Sequence, residues 1–158
     1  MGANITLLRE PHIAVLSTVM ADGSPHSTPV WVDTDGDDVL FNIVKGRQKH
    51  RNLERDGRVS VTVVDPANPY RVFVARGRAA LVDEGADDHI DALSLKYLGL
   101  AKYPMHRPGW ERVIVRMTIT SKFDFNASRT PEEWKGLGRR DIPQSGGGEV
   151  AGAGDGQV

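Results

Sequence analysis

Six of the fourteen residues in KGRQKHRNLERDGR, positions 45–58, are Lys or Arg, and His50 stands among them. The whole chain of 158 residues carries a formal net charge of only −1, so this positive charge is concentrated in one place. Three readings of the stretch compete. It could be a solvated helix face, as runs of mixed charge usually are. It could be a nucleic-acid groove of the kind small barrels carry, but aromatics make up only 6% of the chain and do not interleave with the basic run. The third reading is a phosphate cradle. Gly46 would ease a turn from a strand into a helix and set Arg47 and Lys49 near the helix N-terminus, where unpaired N–H groups and the helix dipole favour an anion. Arg51 and Arg55 follow one and two turns beyond Arg47 on roughly the same face, a track suited to one phosphate with a longer acidic extension. We favour the cradle.

Other chemistry is scarce. There is no Cys, which excludes disulfides, thiolate metal sites and a cysteine nucleophile. No GxGxxG or Walker sequence is present. The histidines at 12, 26, 50, 89 and 106 lack metal-ligand spacing, and no metal is expected. His12, beside a strand, reads as a half-buried packing residue. Ser17 and Ser27 have no nucleophile elbow around them. Trp31 is either core or cofactor wall. Any enzyme built from these residues needs a bound cofactor to carry its chemistry, and no catalytic residue can be assigned.

The elements that must position these residues are short. Residues 4–10 suit one or two helical turns. HIAVLSTVM (12–20) has the β-branched, two-sided apolar character of a strand buried on both faces. PHSTPVWVD (25–33) reads as a second strand, whose Pro25 and Pro29 require a free edge or a bulge. TDGD (34–37) is a hairpin turn before DVLFNIV (38–44). After the basic helix come strands at 58–65 and 70–82. Apolar residues at helical spacing follow over 86–101, with Asp87 and Asp88 in the first turn. ERVIVRMTIT (111–120) closes the pattern, continuing through KFDFN.

Two adjacent strand pairs lack room for crossover helices, so the strands must be antiparallel, and a barrel follows. Residues 1–128 should form this domain and 129–158 a C-terminal extension, disordered from about 144 because it is glycine-rich with little to bury. Hydrophobic content of 39% fits a soluble globular protein, no apolar run approaches a membrane span, and the start lacks a signal-peptide core, so a cytoplasmic protein is expected.

SPHSTPVWV followed by DGDDVLFNIVKGRQKHRNLERDGRVSVTVVDP resembles the pyridoxamine-phosphate-oxidase-like split β-barrel superfamily. VARGRAALV and KYLG…YP…RPGWERVIVRMTIT are similar to its actinobacterial branch, which uses the deazaflavin coenzyme F420. The resemblance covers about residues 5–126. It implies a mainly β (α+β) fold of the FMN-binding type, a split antiparallel β-barrel of six to seven strands with two or three peripheral helices. It also implies hydride transfer from coenzyme F420 to a small conjugated or heteroaromatic substrate, with FMN as the alternative cofactor and an FMN-binding oxidase or reductase, or a non-catalytic flavin or deazaflavin carrier, as the alternative function. Carried over by position, Arg47 and Lys49 would pair with the cofactor phosphate, and Arg51 and Asn52 would extend that site. Ser27, Thr28, Pro29, Val30 and Trp31 would face the ring, and Asn42, Ile43 and Val44 would line the end of the third strand. Family members are homodimers with the cofactor at the subunit interface, and neither nucleic acid nor membrane is an expected partner.

Overall fold

The computed structural model describes residues 3–126. The expected C-terminal extension therefore lies outside the described residues. A 3-10 turn over Ala3–Leu8 leads into strands β1 (Ala14–Val19), β2 (Pro25–Val30), β3 (Val32–Asp35) and β4 (Asp38–Val44). Helix α1 (Gln48–Arg55) follows, then β5 (Arg58–Val64), β6 (Arg71–Val82), helix α2 (Ala86–Leu98) and β7 (Arg112–Asn126). All strand pairs are antiparallel, in the order β2-β1-β5-β6-β7-β4-β3. The expected mainly β split barrel is the fold.

That order explains the barrel. β2 and β3 are successive in the chain and separated only by Trp31, yet they occupy opposite edges of the sheet. One residue cannot cross a flat seven-stranded sheet, since strands lie ~4.8 Å apart. The sheet must curl until its two edges meet at Trp31. Where a single strand was expected over 25–33, the chain therefore breaks into two. Pro25 and Pro29 sit in β2, an edge strand, where a missing N–H is tolerated. The Asp-Gly turn is as the sequence suggests: Asp35 pairs with Asp38 and Gly36 has φ 59°.

The inside of the curl is the core. Leu16, Phe41, Val61, Phe73, Val115 and Met117 are buried there, and Leu7 and Leu8 of the 3-10 turn pack into the same cluster. β1 was expected to be buried on both faces. Within one chain it is not: Ala14, Leu16 and Thr18 point inward, while Ile13 just before the strand is 50% exposed and Val15 40%. β6 and β7 approach so closely at one point that a Cβ on Gly77 would lie 2.1 Å from the Thr118 carbonyl oxygen, beside a register shift at Arg76/Gly77. No helix of the described residues is long and apolar enough to cross a membrane.

Candidate functional site

The basic stretch becomes a turn, a two-turn helix and the first residue of β5. Gly46 turns the chain with φ 80°, a left-handed conformation that suits glycine. Its N–H donates to Nδ1 of buried His50 at 3.1 Å, which ties the turn to the helix it precedes. Arg47 is the N-cap residue, and its side chain makes no capping hydrogen bond. The first N–H groups of α1 therefore lack a side-chain partner there.

Four cations lie on and beside this helix. Arg47 is exposed, its guanidinium 4.5 Å from the centroid of Trp110. Lys49 is half-buried and donates from Nζ to Thr28 Oγ1 at 3.0 Å, joining the helix to β2. Burial, reinforced by the charge of Arg47, pushes the Lys49 ammonium below its ordinary pKa. Arg51 folds back to donate to the Gly46 carbonyl and to Gln48 Oε1. Arg55 donates to the Val19 carbonyl at 2.6 Å and to Asn52 Oδ1 at 3.2 Å. None of the four has a carboxylate within 4 Å among the described residues. A solvated mixed-charge helix would pair its cations with its own acids. Here Glu54 reaches only His50, at 3.5 Å.

Beside the helix start lies a cleft of about 310 Å³, at the lower end of the ~300–1,000 Å³ typical of small-molecule sites. Pro29, Val30, Trp31, Asn42 and Lys49 line it, so five of the residues expected from sequence meet in one place. Thr28 joins them through Lys49. Ser27 lies further along β2, its hydroxyl 2.7 Å from that of Ser17. Ile43 and Val44 are buried in β4, Ile43 within the core cluster. Asn52 is fully buried as a strut: Nδ2 donates to Thr18 Oγ1 at 2.9 Å, while Oδ1 accepts from Gln48 and Arg55.

The cleft also holds residues that sequence reasoning did not single out: Ile13, Ile90, Tyr103, Met105 and Arg112. They come from the lead-in to β1, from α2, from the loop after it and from the start of β7. Only the closed fold brings them together. Trp31 stacks on Tyr97, with ring centroids 5.0 Å apart, and meets Tyr103 edge-on at 5.8 Å. The Tyr97 hydroxyl donates to the His12 carbonyl at 2.6 Å and accepts from the Val32 N–H at 3.1 Å, fixing the wall that Trp31 belongs to. Arg112 is buried and donates from Nη1 to Asn42 Oδ1 at 3.0 Å, and its guanidinium lies 4.5 Å from the Tyr103 centroid. Asn42 in turn donates to the Ala86 carbonyl at 2.8 Å, linking β4 and β7 to the first turn of α2.

Glu10, His12 and Asp65 bring possible metal-ligand atoms within 4.8 Å of one another. Arg71 already occupies the space between the two acids, bonding Glu10 at 2.7 Å and Asp65 at 3.0 Å. Hydrogen bonds from Arg71 and then His12 hold the Glu10 carboxyl down at about 2. The cluster is an ion-pair clasp between the 3-10 turn and β6.

Comparison with known proteins agrees with this fold. The family model described as pyridoxamine 5'-phosphate oxidase matches residues 3–121. An F420H(2)-dependent biliverdin reductase of Mycobacterium tuberculosis (strain CDC 1551 / Oshkosh) is 32% identical over 118 residues, spanning 73% of this chain and 80% of the relative. Among solved structures, an F420 reductase superposes with a TM-score of 0.69 at 28% identity, over 78% of this chain and 98% of that one. HupZ of Group A Streptococcus shares the fold, with a TM-score of 0.56 at 22% identity over 77% of this chain and 94% of that one.

Proposed function

Because the chain belongs to the pyridoxamine 5'-phosphate oxidase family, in its F420-using branch, we propose that it is an oxidoreductase acting with coenzyme F420 on a small conjugated or heteroaromatic substrate. The observation that carries this reading is the group of cations on α1, with no carboxylate within 4 Å among the described residues and adjoining a cleft with an aromatic wall. When bound, the deazaflavin supplies the hydride.

The chain's own residues bind, orient and exclude water. Arg47 and Lys49 hold the phosphate as charged donors, supported by the uncapped N–H groups of α1. Arg51 and Arg55 offer further positive charge for an acidic tail. β2 is a sheet edge, so its backbone around Pro29 and Val30 is free to approach a flat ring, with Trp31 bracing that wall. Ile13 and Met105 give the cleft an apolar rim that keeps water from the reacting atoms. No side chain is assigned as an acid or base, and solvent supplies the proton that follows the hydride.

The working unit in this proposal is a homodimer in the cytoplasm, with the cofactor at the interface. Supporting it, Ile13, Val15 and Val64 are exposed on the outer face of β1 and β5, an apolar surface that a soluble monomer gains nothing by showing. Ile13 belongs both to that surface and to the cleft, so a subunit covering the first would border the second. FMN is the second reading, favoured by the family match and by a phosphate site that either cofactor could use.

The experiment is a pair of titrations followed by turnover. F420 should bind the full chain more tightly than FMN, with the steeper fall in affinity as salt is raised, because more charge pairs are screened. Reduced F420 should then be reoxidised by members of a panel of enones and quinones. FMN bound at least as tightly, with no hydride passed to any acceptor, would replace the deazaflavin reading by the flavin one.

A further inference from the structure

We infer that the cleft selects substrates carrying a carboxylate, and that Arg112 is the residue that reads it. This rests on the proposed reading of the cleft as an oxidoreductase site. It concerns a second anionic group, separate from the cofactor phosphate at Arg47 and Lys49.

Arg112 is only 8% exposed and lines the cleft. A guanidinium has five N–H donors, and among the described residues Nη1 donates to Asn42 Oδ1 at 3.0 Å. Nε is buried with no acceptor among them. No carboxylate lies within 4 Å of this guanidinium among the described residues. A buried charge is costly to keep unless it is paired. The face of Tyr103, 4.5 Å away, offsets part of that cost, but a ring quadrupole does not satisfy an N–H.

Other charged groups stand near it. Trp110 has three guanidiniums around it: Arg47 at 4.5 Å, Arg107 at 5.3 Å and Arg112 at 6.0 Å from the ring centroid. Glu111, the acid next in sequence, lies 3.7 Å from Lys45. Asp83, Asp87, Asp88 and Glu111 line a neighbouring pocket with Trp110 and Arg112, yet none of them comes within 4 Å of the Arg112 guanidinium. Arg112 is also held in place: Asn42, which accepts from it, is anchored by its own bond to the Ala86 carbonyl. A fixed, half-satisfied guanidinium in an aromatic-walled cleft matches a planar conjugated carboxylate, with the ring or double bond against Trp31 and Tyr103 and the oxygens at Arg112.

The test uses cinnamate and its uncharged isostere cinnamamide, titrated calorimetrically into the full-length protein, with and without saturating F420. Cinnamate should bind about tenfold or more tightly than the amide in both states, as expected for charged over neutral hydrogen bonds. Arg112→Gln should shrink that preference to about threefold or less, and Arg112→Lys should keep part of it, because charge survives without the planar fork. Three results overturn the inference. They are equal binding of the two probes to the native protein, an undiminished preference in Arg112→Gln, and loss of cinnamate binding on saturation with F420. The last would assign Arg112 to the cofactor. Since the native comparison needs no variant, a folding defect in Arg112→Gln cannot shield the inference. Since binding is read without turnover, absence of hydride transfer would defeat the proposed function alone.

Discussion

Replacing Lys49 by Met should change stability and cofactor affinity in opposite directions. The side chain is half-buried, and its charged form is disfavoured first by desolvation and then by Arg47. Its hydrogen bond to Thr28 Oγ1 at 3.0 Å is an incomplete substitute for a counter-charge. Methionine keeps most of the apolar stem and removes the charge, so the cofactor-free protein should melt at a higher temperature at neutral pH. The sign follows from linkage: Lys49 has a lower pKa folded than unfolded, so the charged form costs stability at every pH below the folded value. That cost fades as pH rises from the folded to the unfolded value. The stabilising effect of the substitution should fade over the same window. Affinity moves the other way, since a charged hydrogen bond to a phosphate is worth ~1.5–3 kcal/mol, or roughly a 10- to 150-fold weaker Kd. In the native protein, affinity should begin to fall at an alkaline pH lower than an ordinary lysine would give, and this inflection should vanish in the variant. Calorimetric titration across pH and thermal melting of the cofactor-free chain read both effects. A variant that melts lower and binds as tightly would make Lys49 a strut between α1 and β2 and nothing more.

Joint replacement of Arg51 and Arg55 by Ala should weaken F420 but leave FMN nearly unchanged, because only F420 carries an acidic tail along the helix; parallel titrations at two salt concentrations separate the cases. Val15→Asp places a charge on the exposed apolar face of β1. Sedimentation should show a dimer for the native chain and a monomer for the variant, and cofactor affinity should fall with it. Gly77→Ala forces a Cβ to 2.1 Å from the Thr118 carbonyl oxygen and 3.1 Å from the Met117 Cε, so strands β6 and β7 must part. Overpacking against backbone should cost about 3 kcal/mol. A melting temperature roughly 6–12 °C lower is the expected reading for a domain of this size.

How much of this was legible in the sequence depends on how local each signal is. Strands 58–64, 71–82 and 112–126 declare themselves by alternation, and α2 by its apolar spacing, its acidic first turn and Gly99 in the left-handed C-cap conformation. The cation track and the edge-strand prolines were equally visible, because each rests on residue chemistry within one segment. The break at Trp31 was not, since a change of sheet edge leaves no mark in hydrophobic pattern. Asn52 shows the same limit: a buried polar strut inside a charged helix resembles its exposed neighbours in sequence. Arg112 occupies the outward phase of β7, opposite to Val113, Val115 and Met117, where solvent is the natural expectation. It is buried only because Tyr103 and Trp110, from the loop before the strand, fold over it.

The position of the site follows from the way the barrel closes. β2 and β3 meet at Trp31 without pairing, so the curl ends in a seam where hydrogen bonds between strands give way to side chains. α2 clasps that seam. The Tyr97 hydroxyl joins the His12 carbonyl before β1 to the Val32 N–H of β3, and Lys96 donates to the Leu8 and Val32 carbonyls at 2.6 Å. Satisfying those backbone groups, which full closure would have paired strand to strand, requires α2 to lie across the opening. The loop that returns from α2 to β7 then carries Tyr103 and Met105 to the cleft. The β2 backbone lies open because the barrel is split there, and cations stand beside it because the chain leaves β4 through the Gly46 turn. The cleft and the cations beside it are both products of one incomplete closure.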